Sequence, residues 1–329
     1  MEYRRLGRTG MEVSVVGFGC GNVGGLMIRG ERSDQASAVA RAMELGINYF
    51  DTASSYGDGE SERNLGRVLN ELSADVYVGT KVRLGPENMR DIKAGIVKSV
   101  DDSLSRMKRS SVDLIQLHNR VAAIRNPERD LLSVEDVLVQ VVEGFQTLHA
   151  QGKIRFYGIT GFGETEALLR VIDSGAIHST QSCYNLINPS SGTPVEAGFD
   201  LQDFGQLIQH AENQGTGVLV IRVLAAGALT GVDERHPVAA AQVDPMGSSA
   251  RYSEDLRRAK ALGFLVGEGH VENLVEAALR FPLGNSGVST VLVGYSNMEH
   301  LEQAVRWMDR GPLPSEALVQ LPTIWSHRD

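Results

Sequence analysis

Four ionisable side chains lie at or just after the ends of short apolar segments: Asp51, Tyr56, Lys81 and His118. Lys81 ends the apolar run DVYVGTK and needs an anionic partner when buried, which Asp51 can supply. A lysine ammonium near Tyr56 would stabilise the phenolate and lower the pKa of the hydroxyl from about 10. His118 would offer a second hydrogen-bond donor to a substrate oxygen. Such a set can protonate a carbonyl oxygen or deprotonate an alcohol, which is the acid–base chemistry that accompanies hydride transfer.

The elements that would position these residues alternate along the chain. Eight segments are apolar on both faces, which is typical of a parallel sheet covered on both sides. The predicted strands are 13–18, 48–51, 76–81, 112–119, 154–160, 180–185, 217–224 and 290–295. The predicted helices are 33–45, with Ser33 as its cap, then 60–72, 89–107, 134–151, 165–174, 201–214, 254–264, 271–281 and 297–308. This order favours a (β/α)8 TIM barrel, with a large doubly wound sheet as the alternative, and a barrel brings the carboxyl ends of its strands together at the catalytic face.

Three further segments complete the predicted architecture. Residues 3–6 and 11–13 flank the turn GRTG and predict an N-terminal β-hairpin that could plug one end of the barrel. Residues 187–198 do not fit the alternation, and 232–253 look like a long loop, a kind of segment that is often functional. Because the sequence has no linker or low-complexity tract, the whole chain, 1–329, is predicted to be one domain.

A glycine motif near the N-terminus allows a different interpretation. Residues 19–24, GCGNVG, match G-x-G-x-x-G after a strand, and Asp51 ends the next strand, as in a dinucleotide-binding Rossmann domain. In that domain the helix begins within the motif, so that its N-terminus holds the pyrophosphate. Here GLMIRGER follows and the predicted helix begins near Ser33. We therefore favour a flexible loop at the mouth of the first strand.

Composition excludes several classes of partner. The 329 residues include 32 Lys and Arg and 41 Asp and Glu, a net charge of −9 without a basic stripe. Neither nucleic acid nor an anionic membrane surface is therefore expected as a partner. No run of 18 apolar residues predicts a membrane span. A small-molecule substrate and a monomer or small homo-oligomer are expected.

Cysteine usage and missing motifs narrow the function further. Cys20 and Cys183 cannot form a secreted disulfide framework, and the N-terminus has no apolar signal core, so the expected location is the cytoplasm. The sequence has no H-x-H, H-E-x-x-H or Cys-x-x-Cys metal spacing and no G-x-S-x-G nucleophile turn. No metal is therefore expected, and a barrel hydrolase is a distant option.

Three motifs, GINYFDTASSYG, GTKV and DLIQLH, resemble those of the aldo-keto reductase superfamily. The resemblance extends from YRRLGRTGMEVS near the N-terminus to VGYSNMEHLEQAV near the C-terminus. It implies a (β/α)8 barrel that binds NADP(H) or NAD(H) in extended form without a Rossmann fold. It also implies that Tyr56 is the proton donor, that Lys81 and Asp51 tune it, and that His118 orients the carbonyl. Asn22, Tyr56 and His118 would line the substrate.

The same resemblance implies a set of cofactor contacts: Asp51, Thr160, Gly161, Gln181, Ile221, Arg222, Leu224, Gly294, Ser296 and His300. Thr160 and Gly161 stand where the family has Ser-Asn, and Ile221 stands where it commonly has an aromatic residue that stacks on the nicotinamide. Gln181 matches the family and could hold the nicotinamide carboxamide. Arg222 could reach the pyrophosphate or form a surface ion pair.

The start of the last helix bears on the choice between NADP(H) and NAD(H). Family members that prefer NADP(H) carry Lys or Arg there, and the stretch GYSNMEHL has neither. Ser296 and the helix N-terminus favour an anion, but His300 is only partly charged at neutral pH, and Glu299 and Glu302 oppose a phosphate. We hypothesise weakened NADP(H) selectivity and use of NAD(H), with Arg251 as the one basic residue that could substitute.

Two functions remain open at this level. The first is an oxidoreductase that interconverts an aldehyde, ketone or sugar carbonyl and an alcohol. The alternative is a nicotinamide-sensing binding or regulatory subunit with little turnover, because the altered positions 160–161 and 221–223 could bind a cofactor without reaction. The complete set that includes Tyr56 and Lys81 favours the enzyme. Trp325, in the C-terminal tail, is expected to pack against the barrel wall rather than to contact a ligand.

Overall fold

The computed structural model describes residues 1–326 and contains a closed barrel of eight parallel strands. Strands that follow each other along the chain are neighbours in the barrel, and the eighth pairs with the first. The barrel strands are Val16–Gly19, Tyr49–Asp51, Tyr77–Val82, Val112–Leu117, Ile154–Thr160, Ser179–Cys183, Gly217–Ile221 and Val288–Gly294. The predicted (β/α)8 barrel is confirmed, and the doubly wound alternative is wrong because the sheet closes on itself.

Helices cover the outside of the barrel. They are Leu26–Arg29, Arg32–Glu44, Glu60–Glu71, Ile92–Met107, Val134–Asp136, Val142–Ala150, Thr165–Asp173, Leu207–Asn213, Tyr252–Ala261, Phe264–Gly267, Leu274–Arg280, Met298–Met308, Ser315–Leu318 and Leu321–Ser326. A π-helical segment, Val137–Val141, joins the two helices after strand four. Side chains cap several helix starts; for example, Asp91 accepts from Ala94 N and Asn297 accepts from His300 N. In the part of the chain that the structure describes, no helix is long and apolar enough to cross a membrane.

The amino-terminal hairpin closes one end of the barrel, as predicted. Tyr3–Arg5 pairs antiparallel with Glu12–Ser14. Leu6, Met11 and Val13 are at most 1% exposed and pack against the barrel interior. The strand residues in this cluster are Tyr49, Leu114, Leu219 and Leu292. The hairpin therefore seals the end of the barrel opposite the catalytic face.

The predicted strand 13–18 belongs to two elements. Its first part lies in the hairpin strand Glu12–Ser14, and the rest is the barrel strand Val16–Gly19. The chain changes partner at Val15, whose N–H donates to Glu2 O at 3.0 Å. An apolar pattern cannot reveal this change, because both parts are buried.

One predicted cap and one predicted helix start are wrong. Helix Arg32–Glu44 has Glu31 and not Ser33 at its N-cap, with no side-chain cap. The helix predicted to begin at residue 201 begins at Leu207 because Gly205 and Gln206 have φ of 60° and 55°, which an α-helix does not contain. The other predicted boundaries shift by three residues or fewer.

Long loops lie over the carboxyl ends of the strands. The loop after strand four contains a small parallel pair, Arg120–Ala122 with Leu131–Ser133. Residues 187–198 have no helix or strand, and the predicted loop 232–253 lacks them up to the helix that begins at Tyr252. The catalytic-face loops are therefore as long as predicted.

Two of these loops and the C-terminal tail are tied to the barrel mouth. Asn188 Nδ2 donates to Gln202 O and to Gly247 O, both at 2.8 Å, and so joins the loops after strands six and seven. Trp325 Nε1 donates to Leu186 O at 2.9 Å, and its ring packs at 6.1 Å from that of Phe281. Trp325 thus packs against the barrel, as expected.

The hairpin plug predicts a large loss of stability from a single truncation. Leu6→Ala removes a side chain with 0% exposure and leaves a cavity, so the free energy of unfolding should fall by about 2–5 kcal/mol. Urea unfolding followed by circular dichroism measures the change. Leu72→Ala, at a 40% exposed helix end, is the control and should cost less than about 1 kcal/mol. Equal losses in the two variants would contradict the role of the plug.

Candidate active site

The centre of the site is a buried ion pair between barrel strands two and three. Asp51 ends strand two, Lys81 is the next-to-last residue of strand three, and they are 3% and 0% exposed. The Lys81 ammonium donates to Asp51 Oδ2, to Thr52 O at 2.8 Å and to Tyr56 OH at 3.2 Å. All three N–H donors of the ammonium therefore have acceptors.

Gln181 binds the other oxygen of the same carboxylate. Its Nε2 donates to Asp51 Oδ1 at 2.9 Å. Gln181 lies in the middle of strand six, Ser179–Cys183, and its side chain faces the barrel interior. In this structure the Gln181 amide N–H is thus directed to Asp51.

A hydrogen-bonded turn presents Tyr56 after strand two. Thr52 Oγ1 and Ser61 Oγ lie 2.8 Å apart, and Ser61 Oγ donates to Cys20 O at 2.9 Å. These bonds tie the turn to the end of strand one. Sequence reasoning missed Thr52 and Ser61, although Thr52 lies within the motif that carries Tyr56 and Ser61 follows it closely.

Asn22 borders the same turn from the loop after strand one. Asn22 Oδ1 accepts from Gly57 N at 3.1 Å. A Cβ on the neighbouring Gly21 would lie 3.5 Å from the Tyr56 ring. The exposed Asn22 therefore supports the turn that carries Tyr56 and lies at the mouth of the site.

His118 faces Tyr56 across the mouth. Their ring centroids are 5.9 Å apart at an interplanar angle of 86°. His118 directly follows strand four, which ends at Leu117 and not at residue 119 as predicted. Ser55 Oγ lies 3.4 Å from His118 Nδ1, which leaves Nε2 for a substrate oxygen. The structure thus brings Asp51, Tyr56, Lys81 and His118 into one cluster.

Burial controls the protonation of this cluster. It raises the pKa of Asp51 against the opposing effects of Lys81 and Gln181. Burial alone would lower the pKa of Lys81, but Asp51 and Tyr56 outweigh it and raise that pKa, so Lys81 is the cation of the site. Burial also raises the pKa of Tyr56, and Lys81 offsets only part of this effect. The expectation that Lys81 brings the pKa of Tyr56 below its ordinary value is wrong here, and Tyr56 is a neutral acid.

His118 is also neutral. Burial, followed by the charges of Lys81 and Arg83, lowers its pKa to about 3. A neutral imidazole carries one N–H, which can donate to a substrate oxygen.

Thr160 and Gly161 form the buried end of strand five. Thr160 Oγ1 donates to Leu117 O at 3.1 Å, and Gly161 N donates to Gln181 O at 2.7 Å. A Cβ at position 161 would lie 2.4 Å from Gln181 O, which is too close for any side chain without backbone movement. This backbone geometry therefore excludes the Asn that the resemblance implies at position 161.

Strand seven ends at Ile221, and Arg222 follows with a left-handed φ of 58°. Asn185 Nδ2 donates to Arg222 O at 2.9 Å, and Arg222 Nη1 donates to Asp244 O at 3.2 Å. Within residues 1–326 Arg222 has no ion pair, so the surface ion-pair alternative is wrong. Leu224 lies half-buried just beyond this turn. Sequence reasoning missed Asn185 as a site residue; the prediction made it the end of strand six, and the structure places it two residues beyond that strand.

The glycine segment packs against the exit of strand eight. Ser296 Oγ donates to Gly24 O at 2.8 Å, and Leu26 N donates to Tyr295 O at 3.1 Å. A Cβ on Gly24 would lie 2.5 Å from Tyr295 N, so the close approach of these two segments requires glycine. The Rossmann interpretation is wrong, since no long helix begins within the motif.

Gly294 precedes helix Met298–Met308, and His300 lies in the first turn of that helix. The ring of His300 lies 5.8 Å from that of His236, which belongs to the loop after strand seven. Desolvation and His236 lower the pKa of His300, so it adds no charge at neutral pH. Arg251 pairs with Glu254 of its own helix at 2.7 Å.

A cleft of about 680 Å³ lies under the loop after strand seven. Its lining includes Arg235, His236, Asp244 and Tyr252. Among residues 1–326 no group of three or more His, Cys, Asp or Glu is arranged to hold a metal ion.

Comparison with known proteins identifies the family. The model described as "Aldo/keto reductase family" matches residues 15–325. The chain belongs to the aldo/keto reductase family. L-galactose dehydrogenase of Arabidopsis thaliana is 30% identical to this aldo/keto reductase over 314 residues, 93% of this chain and 87% of that protein. D-threo-aldose 1-dehydrogenase of Pseudomonas sp is 26% identical over 322 residues, 89% of each chain.

Solved structures show the same fold. The holo form of aldo-keto reductase AKR11C1 from Bacillus halodurans superposes with a TM-score of 0.72 at 24% identity, and the match covers 98% of this chain and 96% of that one. The family and its named relatives make this aldo/keto reductase an oxidoreductase.

The low pKa of His118 predicts a contribution to acid sensitivity. Because its pKa is about 3 in the folded chain and about 6.5 in the unfolded chain, the unfolded state binds the extra proton between these values, and stability falls as the pH decreases through that window. Between pH 7 and pH 5 the wild type should lose about 2 kcal/mol more than His118→Gln. Urea unfolding at both pH values measures this difference. His149→Gln, an exposed site, should keep the wild-type dependence, and an equally steep loss in His118→Gln would contradict the assignment.

Proposed function

We propose that this aldo/keto reductase is an NAD(P)(H)-dependent oxidoreductase that interconverts a carbonyl and an alcohol by hydride transfer. The observation that carries the proposal is the Tyr56 hydroxyl, 3.2 Å from the Lys81 ammonium and facing His118 across the barrel mouth. A phenol, an ammonium and a neutral imidazole around one opening suit a reaction in which a proton moves to or from a substrate oxygen.

Each residue has a role in the proton transfer. In reduction Tyr56 gives its proton to the substrate oxygen, and in oxidation it accepts that proton. Lys81 stabilises the phenolate that forms, and the Asp51 carboxylate keeps the buried Lys81 ammonium charged. His118 orients the substrate oxygen through the nitrogen that Ser55 does not contact. A bound nicotinamide cofactor supplies or accepts the hydride.

The residues around the mouth fit a nicotinamide dinucleotide. Gln181, Thr160 and Gly161 would border the nicotinamide near Asp51, and Ile221 would pack on its ring face. The guanidinium of Arg222, bound at one N–H to Asp244 O beside the cleft, retains donors for the pyrophosphate. The rest of the cofactor, toward its adenosine, would be lined by Leu224, Gly294, Ser296 and His300.

The names of two relatives favour an aldose as the substrate class. Both carry aldose dehydrogenase names and cover most of this chain, at 30% and 26% identity. We therefore propose oxidation of the anomeric CH–OH of a neutral aldose. The alternative of a cofactor-sensing subunit with little turnover is favoured less, because such a subunit has no need of the assembled Tyr56 and Lys81.

We also propose that the chain is one domain and acts in the cytoplasm. Cys20 and Cys183 are both free and buried. Burial raises the pKa of the Cys183 thiol to about 12, which keeps it protonated. Two inert thiols suit a reducing compartment.

Tyr56→Phe tests the proposed chemistry. Loss of the hydroxyl removes the acid–base group, so kcat with an aldose should fall by about 10²–10⁴-fold. The dissociation constant of the nicotinamide cofactor should change little, as measured by fluorescence titration. Tyr77→Phe, at the opposite end of strand three, is the control and should keep wild-type kcat. Retained turnover in Tyr56→Phe would remove Tyr56 from this role, and absence of wild-type turnover with tight cofactor binding would favour the sensing subunit.

The start of helix Met298–Met308 predicts weak selectivity for NADP(H). Ser296 already donates to Gly24 O and Glu299 lies in the first helical turn, so NADPH and NADH should bind with dissociation constants within about tenfold of each other. Glu299→Arg should tighten NADPH by about tenfold and leave NADH unchanged. Glu316→Arg, on a separate C-terminal helix, is the charge-matched control. Wild-type binding of NADPH 100-fold tighter than NADH would contradict the prediction.

A further inference from the structure

Alternate side chains of strands three and four face the barrel interior, and this alternation continues beyond the catalytic cluster. Lys81 is in register with Gln116 across the two strands. Arg83 follows Lys81 by two residues, and His118 follows Gln116 by two. The side chains of Arg83 and His118 therefore point to the same side of the sheet as those of Lys81 and Gln116. His118 N donates to Val82 O at 2.7 Å, which extends the pairing by one step. Arg83 and His118 are therefore neighbours at the mouth of the barrel.

The electrostatics of the mouth agree with this placement. After burial and Lys81, the charge of Arg83 is the next cause that lowers the pKa of His118. Arg83 forms an ion pair with Asp130, which comes from the loop after strand four. The imidazole that faces Tyr56 therefore has the Arg83 cation as a neighbour, and that cation is paired with Asp130.

The loop holds Asp130 in place. Asn119, 1% exposed, accepts from Leu84 N at 2.8 Å and donates to Leu84 O at 2.9 Å and to Asp130 O at 3.4 Å. Asp130 has a left-handed φ of 57° at the end of the turn Pro127–Arg129. The bond from Asn119 holds the backbone of Asp130 beside strand three, and the ion pair with Arg83 holds its carboxylate.

The pair has unused hydrogen-bonding capacity. Arg83 and Asp130 side chains are 52% and 30% exposed. Within residues 1–326, these two side chains make one hydrogen bond, which Arg83 Nη2 donates to Asp130 Oδ2. A guanidinium has five N–H donors and a carboxylate has a second oxygen, so donors and an acceptor remain side by side. This combination matches two adjacent hydroxyl groups, one accepting from Arg83 and the other donating to Asp130.

We propose that Arg83 and Asp130 form a subsite for a vicinal diol of a neutral, polyhydroxylated substrate whose reacting carbon lies at Tyr56 and His118. The inference rests on the proposed aldose oxidation and adds the residues that recognise the sugar. Because the charges of Arg83 and Asp130 cancel, the pair offers no net positive charge to a phosphate or carboxylate, and the subsite favours an uncharged polyol.

A pair of matched substrates and matched variants tests the subsite. L-galactose carries vicinal hydroxyls, and tetrahydropyran-2-ol is a cyclic hemiacetal without them. Arg83→Gln should lower kcat/KM for L-galactose by roughly 10- to 100-fold, mainly through KM, since a hydrogen bond to a charged group is lost. It should change kcat/KM for tetrahydropyran-2-ol by less than about threefold. Arg155→Gln is the control, because Arg155 is 53% exposed and forms an equivalent ion pair with Asp113 near the opposite end of the barrel.

Asp130→Asn tests the charge balance. Asparagine tolerates a left-handed φ, so the loop should keep its shape while Arg83 becomes an unpaired cation. The variant should raise kcat/KM for an aldose 6-phosphate relative to the neutral aldose by several-fold.

The outcomes separate this inference from the proposed function. Wild-type oxidation of L-galactose with an unchanged substrate ratio in Arg83→Gln would overturn the subsite and leave the proposed function in place. A loss of equal size for both substrates would also overturn the subsite, since the residue would then act on the reacting centre. Absence of wild-type turnover with either substrate would overturn the proposed aldose oxidation and the subsite with it.

Discussion

The arrangement of the active site depends on the buried ion pair of Lys81 and Asp51. An ammonium without exposed surface is tolerated only when its charge and all its donors are matched, and here Asp51, Thr52 and Tyr56 match them. Strand two supplies the carboxylate and strand three the ammonium, so the pair exists only when these neighbouring strands are paired. Breaking it would leave a buried charge, and the pair therefore fixes the positions of the strand ends and of Tyr56 more than it adds net stability.

The same burial sets the protonation states around the pair. Desolvation keeps Tyr56 and His118 neutral, while Lys81 remains charged because Asp51 compensates it. The site thus has one ion pair behind two neutral hydrogen-bond donors. This is a suitable starting state for giving a proton to a carbonyl oxygen, since a neutral phenol is the acid and the ammonium next to it stabilises the resulting phenolate.

Departures from the family pattern on the cofactor side have local geometric causes. At position 161 the Gln181 carbonyl oxygen leaves no space for a side chain. Arg222 takes a left-handed conformation that Asn185 supports from the neighbouring strand exit. These positions form a coherent alternative arrangement of backbone and side chains around the mouth.

The sequence alone determined the chemical centre and the fold class. The chemical centre could be predicted because Asp51, Lys81 and His118 end apolar segments and Tyr56 lies in the turn after one of them. The fold class could be predicted because the alternation of strands and helices is a local pattern. Tertiary structure decided what depends on distant partners. Gln181 bonds to a residue 130 positions away and Arg83 to one 47 positions away, and no spacing in the chain encodes such contacts. The partner change at Val15 and the net pKa of Tyr56 were likewise beyond the sequence, because desolvation and strand pairing are properties of the closed barrel.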